Sequence, residues 1–378
     1  MKIEQKILAN NAAQVVFSHE GFDKDKCQIV LIFGGKQNIT LGLIENIRQE
    51  YPSAELISAS TSGEIANYAF YDEELSYTAI QLENTPHVSK VANIKDYQNS
   101  FELGLDLFGQ LPKENLKYGF IISDGGLING TELLDGINAQ NNNAILVTGG
   151  LAGDGSRFES TLVGLNANLQ AGNVVLIGFY GDHIHIGHGS LGGWDEFGPE
   201  RIITRSEKNV LFELDNKNAL ELYKQYLGSY ADELPGSALL FPLSISTEEQ
   251  NIRNVRTILS IDEKNQSMTF AGNLPEGSRV RLMKANFDKI IKASGNAASQ
   301  SVSFDFEKPD LAILISCVGR KLILNDRVEE EIEIVKEIFG NDSAVSGFYS
   351  YGEISPLVKS QKCELQNQTM TITSFKEI

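Results

Sequence analysis

Several residue types and patterns are scarce in this chain, and each scarcity excludes something. There are three cysteines, Cys27, Cys317 and Cys363, far apart and without CxxC spacing. That leaves no basis for a disulfide framework or a cysteine zinc site. No apolar run reaches the roughly 18 residues of a membrane span. The N-terminus, MKIEQKILANNAAQ, has no apolar core of signal-peptide length. The expected location is therefore the cytoplasm, where thiols stay reduced. Positive charge is also short: 32 Lys and Arg stand against 50 Asp and Glu, for a net charge of −18. Nucleic acid is a poor partner for such a chain, because phosphate contacts need clustered cations, and insertion into an anionic membrane surface is equally disfavoured. The sequence has no GxxxxGK[ST], no GxSxG elbow, no HExxH and no kinase motif set. Its glycines do not form the dinucleotide fingerprint between strand and helix. No catalytic role is expected. Cys317, inside the apolar run LISCVG, reads as a small core residue.

What remains is an ordinary globular composition. The 378 residues are 42% apolar and 22% charged, enough for about two or three domains. QIVLIFGG (28–35), ELISAS (55–60), YGFIISDGG (118–126), NAILVTGG (143–150) and LAILISCVGR (311–320) are buried-strand patterns. Helical spacing marks 40–52, 129–140, 218–228 and 328–340, the last two closed by Gly228 and Gly340. Strands alternating with helices predict an α/β layer arrangement. Between about 158 and 283 the pattern turns to short strands and turn signals, an antiparallel β-rich region. GFYSYGEISPLV and QTMTITSF read as a terminal hairpin. STSGEIA (60–66) and YSYGEIS (349–355) share S-x-GEI after similar α/β segments. The expected fold is mixed α/β: two related α/β units flanking a central antiparallel region, in a layered sandwich.

Three of the five histidines and the only tryptophan fall in GDHIHIGHGSLGGW (181–194). VVLIGFY and HIHIGHGS predict a hairpin through Gly181-Asp182. Strand alternation puts His183 and His185 on one face, toward water, and His188 on the other with Ile184 and Ile186. A zinc site would use His183 and His185 with a third ligand such as Asp182 or Glu196. His188 reads either as a core histidine or as an axial ligand on an apolar wall. His19 and His87 read as surface residues.

Eight segments in order carry a resemblance: SASTSGEI, TGGLAGDG, HGSLGGWDEFGP, ELDNKNALELYKQYLG, NVRTILSID, LPEGSRVRLM, LISCVGRK and GFYSYGEISP. Together they resemble the FIST sensory proteins, with an N-terminal region expected at 25–220 and a C-terminal region at 221–375. The resemblance implies a small-molecule ligand and a signalling partner, either a histidine kinase or a cyclic-nucleotide enzyme. For the subgroup that binds haem and senses nitric oxide, it implies haem iron on His188. The alternative is a haem-free module for an amino acid or another small metabolite. Arg279, Arg281 and Arg320 are candidates to clamp a carboxylate or haem propionates. Gly63, Glu64, Gly149, Gly150, Asp154, Trp194, Gly352 and Glu353 are the remaining candidate ligand contacts. The carboxylates read either as ligand-facing groups or as turn residues, and the glycines as turns or as points of close backbone approach. Nothing in the sequence separates a monomer from a homo-oligomer.

Overall fold

The computed structural model describes residues 1–9, 12–234, 236–246, 253–302, 306, 308–356 and 362–378. Mixed α/β architecture is what it shows, with an antiparallel β-rich region between α/β units. The S-x-GEI echo marks two related units, and a third lies between them without the echo.

Each repeat has the same order: a first strand that pairs with the repeat's last, a second strand, a helical crossover to a parallel strand, a short hairpin and a final antiparallel strand. In the first repeat these are Lys2–Ala9, Ile29–Gly34, helix Leu41–Glu50, Glu55–Ser60, the hairpin Glu64–Ala66 with Ala69–Tyr71, and Leu75–Gln81. The second runs His87–Asn93, Leu116–Ser123, helix Gly130–Asn141, Leu146–Leu151, the hairpin Val163–Leu165 with Asn168–Gln170, and Asn173–Tyr180. The third runs Ile184–Leu191, Leu311–Cys317, helices Val318–Leu324 and Glu330–Phe339, Ala344–Ser350, the hairpin Gly352–Pro356 with Cys363–Gln366, and Met370–Glu377.

Each repeat builds one sheet, but its hairpin joins the sheet of another. Glu64–Ala66 pairs with Ala344–Ser350 of the third repeat. Gly352–Pro356 pairs with Leu146–Leu151 of the second, and Val163–Leu165 with Glu55–Ser60 of the first. The exchange is cyclic. At the turns where the chain changes sheets, three backbone bonds close a triangle. Ser62 N donates to Tyr349 O at 2.8 Å, Tyr351 N to Leu151 O at 3.3 Å, and Gly153 N to Ser60 O at 2.9 Å.

The three sheets share one core, which explains the continuous apolar runs. Strands buried on both faces have no polar side to display. Ile29, Leu31 and Phe33 face the shared core with Phe120, Ile122, Ile313 and Phe348. Val30 and Ile32 face outward, beneath helix Leu41–Glu50. The second sheet is covered by helices Ser100–Gly109 and Gly130–Asn141, the third by helices Phe287–Ser301 and Glu330–Phe339. Helix Phe287–Ser301 lies so close to the third sheet that a Cβ on Gly187 would come within 1.8 Å of Ser301 O.

The β-rich region, Asp195 to Lys284, is inserted into the third repeat after its edge strand and has its own core around Leu211, Tyr223, Met268 and Phe270. Two expected pairings are corrected. Asn173–Tyr180 and Ile184–Leu191 do not form a hairpin: the first pairs within the second sheet, while the second crosses to Met370–Glu377 in the third. Likewise, the terminal run is not one hairpin. Ala344–Ser350 and Met370–Glu377 belong to the third sheet, and only Gly352–Pro356 turns back on Cys363–Gln366. Leu357 and Val358 of that run lie outside the described residues.

Candidate functional site

In open α/β sheets, ligands settle where strands end at their carboxyl sides and the chain switches direction. Here the corresponding place is the sheet-switch turns, and the inserted domain leans over them. Two adjoining cavities, of about 360 Å³ and 280 Å³, share Phe158, Leu259, Ala271 and Tyr351. The larger is floored by residues 125–130, the loop entering helix Gly130–Asn141. The smaller reaches Cys317, Val318 and Gly319 at the end of strand Leu311–Cys317. Four large apolar side chains left exposed, Leu127, Phe158, Leu259 and Leu322, line this cleft.

The cleft is held in shape by two buried aspartates. Asp124 accepts from Gly126 N (2.9 Å), Leu127 N (2.6 Å), Thr161 Oγ1 (2.7 Å) and Gly172 N (3.0 Å), which fixes the floor loop. Asp154 accepts from the Tyr351 hydroxyl and from the amides of Phe158, Glu159 and Ser160. Burial alone would raise its pKa. The Tyr351 hydroxyl and the three amides outweigh that and hold it below the usual carboxylate value. The same bonds seat Phe158, at φ 55°, flat against Tyr351, with ring centroids 4.5 Å apart and planes 17° apart. Two buried polar atoms lining the smaller cavity, Thr257 Oγ1 and Asn367 Oδ1, have no partner among the described residues.

The sequence candidates fall in several places. Asp154 lies behind this cleft and builds its wall, with its oxygens already engaged. Glu64 and Glu353 are fully buried at the sheet switches. Glu353 accepts from Ser350 Oγ (2.8 Å) and from Thr369 N and Oγ1 (3.1 and 2.9 Å), and Glu64 accepts from Thr61 Oγ1 at 2.5 Å. Gly149, Gly150, Gly63 and Gly352 serve close packing. A Cβ on Gly149 would lie 1.8 Å from Ile121 O, and on Gly150 2.7 Å from Ile315 Cγ2. At Gly63 and Gly352 it would lie 2.8 Å from Phe70 and Leu365 respectively. Trp194 is half-buried, donating to Gln368 O at 2.9 Å. Arg320 is enclosed and saturated. It bonds Glu331 (2.7 Å), Gly192 O (2.7 Å), Ile290 O (2.9 Å) and Ser294 Oγ (2.8 Å). Arg279 and Arg281 do share a face, on the surface of the inserted domain, where they pair with Glu200 and Glu196.

His188 is buried on the same face as Ile184 and Ile186, as alternation predicts. His183 is exposed and His185 half-buried. His19 is half-buried and accepts from Ile3 N at 3.0 Å, and His87 pairs with Glu55 at 3.3 Å. Among the described residues no three His, Cys, Asp or Glu side chains are grouped to hold a metal ion. The surroundings of His188 do not fit a haem. Its cross-strand neighbour Thr373 meets Thr148 at 2.6 Å, and Thr148 meets Tyr118 at 2.5 Å. Beside them the Tyr118 and Phe375 rings lie 5.5 Å apart. These contacts tie the second and third sheets together where a porphyrin plane would have to enter.

Phe158, Tyr351, Leu127, Leu259, Leu322, Thr257 and Asn367 were not among the sequence candidates. Tyr351 sits between the two motif halves of GFYSYGEISP, and Phe158 four residues beyond Asp154. Those positions were the available signal.

Fold and cleft together define a three-repeat α/β scaffold with a preformed, largely apolar pocket under an inserted β-domain. The chain belongs to the FIST family, which is of sensory type. The FIST N domain matches residues 28–217 and the FIST C domain residues 219–356. The junction between the two matches lies inside the inserted domain, ahead of helix Ala219–Leu227. The uncharacterized protein MJ1623 of Methanocaldococcus jannaschii is 24% identical over 346 residues, taking in 82% of this chain and 62% of that protein. The chain thus spans less than two thirds of that relative's length. No helix among the described residues is long and apolar enough to cross a membrane.

Proposed function

We propose that this chain is a sensor that binds a small molecule in the cleft beside Tyr351 without transforming it. The observation that carries the reading is the convergence of exposed Leu127, Phe158, Leu259 and Leu322 on one cleft that also holds the unpartnered Thr257 Oγ1 and Asn367 Oδ1. An apolar pocket with a few polar groups is how proteins orient small ligands. Unpartnered buried polar atoms are rare unless something else satisfies them. The ligand has a compact apolar body and a hydrogen-bond donor for Asn367. It bridges scaffold and inserted domain, so binding shifts their relative position, and a histidine kinase or cyclic-nucleotide enzyme reads that shift. Binding without catalysis is supported by the thiols. Burial pushes Cys27 up to about 12 and Cys317 higher still, away from nucleophilic thiolates.

A thermal-shift panel of small apolar metabolites tests the reading. A compound at 100 times its Kd stabilises by about 2.7 kcal/mol. Leu259→Arg, at an exposed position, should change stability by no more than about 0.5 kcal/mol and abolish the shift. A shift that survives Leu259→Arg places the ligand elsewhere and ends this reading. Haem and nitric-oxide sensing through His188 is the alternative, opposed by the packing around that residue. A Soret band after haem loading that disappears in His188→Ala would restore it.

A further inference from the structure

In the second and third repeats, the chain between the first strand and the second supplies a helix that covers the outer face of the sheet. Ser100–Gly109 lies against His87–Asn93, and Phe287–Ser301 lies against Ile184–Leu191 and Met370–Glu377. The first repeat spends the same stretch differently. It forms strand Ala12–Ser18, which pairs with Lys2–Ala9 and becomes the edge of the sheet, and a single turn at Lys24–Lys26. Among the described residues the outer face of the first sheet therefore has one covering helix, Leu41–Glu50, where the other two sheets have a second beside the first. The turn covers only one end of the remaining strands. There Lys2 Nζ donates to Gly21 O at 3.1 Å, Asp23 N donates to Gln81 Oε1 at 2.9 Å, and Phe22 packs edge-on against Tyr51.

The other end is open. A groove of about 930 Å³ runs there between helix Leu41–Glu50 and the strand pair, with Leu8, Ala13, Leu43, Ile47, Leu75 and Tyr77 along it. Strand register puts Leu8 between Leu75 and Ala13, and Val15 opposite Lys6 on that same face. Val15 is 49% exposed. The edge strand, AAQVVFS, holds no charged residue and no proline, the usual means of blunting an open edge. Charge in the groove has one sign. Glu50, Glu73 and Glu74 line it, and among the described residues no Lys, Arg or His side chain does. Glu50 is paired with Lys6 and Lys24, and Glu73 with Arg157 at 2.6 Å, while Glu74 makes no ion pair among the described residues.

We infer that this groove docks an amphipathic helix of a partner protein, apolar along one stripe and basic on its flanks. The other two repeats show what covers this face of the scaffold. In the second repeat the covering helix buries Ser100, Leu103, Gly104, Leu107 and Phe108, the i, i+3, i+4, i+7 stripe of an amphipathic helix. A helix laid in a groove on such a stripe is a recurrent mode of recognition. The apolar stripe meets Leu8, Ala13, Leu43 and Val15, and lysines or arginines on the flanks meet Glu73 and Glu74. A second copy of this chain, at net charge −18, would approach the same rim with like charge. The groove and the apolar ligand cleft share no lining residue, so the docking stands whether or not that cleft binds a ligand.

The probe is a fluorescein-labelled peptide of leucine and lysine, about 18 residues long so that it can form a helix, with leucine at i, i+3, i+4 and i+7. Its anisotropy is followed on titration with the full chain in about 0.15 M salt, which screens diffuse attraction between opposite charges. The peptide should bind. A scrambled peptide of the same composition should not, nor should one with glutamate in place of lysine. Ala13→Arg and Asn46→Arg fall at exposed positions of the groove. Each should leave the melting temperature unchanged and weaken binding about tenfold. Glu74→Lys should weaken the lysine peptide and admit the glutamate one. Leu259→Arg, in the apolar cleft, should leave peptide binding intact. No binding, equal binding of the scrambled peptide, or full affinity in both Ala13→Arg and Asn46→Arg would overturn the inference. So would a dimer of the chain itself that Ala13→Arg dissociates, because a second copy would then fill the groove.

Discussion

Replacing Glu331 by alanine should destabilise the protein by about 3–5 kcal/mol, the loss expected when one member of a buried ion pair is removed. Arg320 and Glu331 are both fully buried and lie 2.7 Å apart. Glu331 also accepts from Tyr349 OH at 2.7 Å, Ser316 Oγ at 3.1 Å and Ser294 Oγ at 3.3 Å. One carboxylate thus ties two strands of the third sheet to both helices covering it. Without it, the guanidinium is left with no partner charge at a fully buried site. The paired change Arg320→Met with Glu331→Leu should recover much of the loss, because desolvation consumes most of a buried pair's attraction. Urea midpoints measure both variants, read alongside the denaturant slopes. A Glu331→Ala midpoint near wild type would refute the account. Arg320→Met also separates structure from binding: a ligand clamp would lose affinity while staying stable, whereas this arginine should lose stability first.

Some of this was legible in the sequence and some was not, for reasons that lie in particular residues. The parity of His188 with Ile184 and Ile186 could be read because alternation is local. Its strand partner could not. Gly181-Asp182 looks like a hairpin turn, but Ile184–Leu191 finds eight partners in Met370–Glu377, nearly two hundred residues on. Glycines 187 and 189 are there for a helix. A Cβ at either would press within 2.1 Å of a carbonyl of Phe287–Ser301. That helix was missed because its buried face is largely small residues, Ser294, Gly295, Ala297, Ala298 and Ser301, which carry little apolar periodicity. The S-x-GEI echo identified the first and third sheet switches because both keep a buried glutamate with a hydroxyl three residues before it. The second switch has Ala152-Gly153-Asp154 instead, and only the backbone triangle reveals its equivalence. The apolar cleft was hidden for a different reason. Leu127, Phe158, Leu259 and Leu322 come from four distant segments, and single exposed apolar residues in a sequence carry no signal.

Those two buried glutamates imply the other large effect, a stability that falls as pH rises. Desolvation raises Glu64 and Glu353 from 4.5 to about 8 each. For Glu64 the charge of Asp72 adds to this, against donation from Thr61. For Glu353, Thr369, Ser350 and Arg320 oppose it without cancelling it. The folded state therefore holds protons that the unfolded chain releases near pH 4.5. Stability from these groups is fully present below about pH 4.5 and is lost as pH rises to about 8, after which it levels off. At about 1.4 kcal/mol per pH unit, each carboxyl removes up to about 5 kcal/mol across that window. Urea midpoints recorded from pH 5 to pH 9 should show this decline superimposed on the other carboxylates. Glu64→Gln and Glu353→Gln should each flatten part of it and raise stability at pH 9, with the double variant flatter still. The consequence reaches the cleft, because Tyr351 stands two residues before Glu353 and its amide closes one side of the backbone triangle. Charging Glu353 at high pH strains the turn that sets the Tyr351–Phe158 wall, so ligand affinity should weaken over the same range in wild type and stay level in Glu353→Gln. A wild-type midpoint that rises steadily from pH 5 to pH 9, unchanged by either glutamine, would show that both carboxyls ionise freely where they sit.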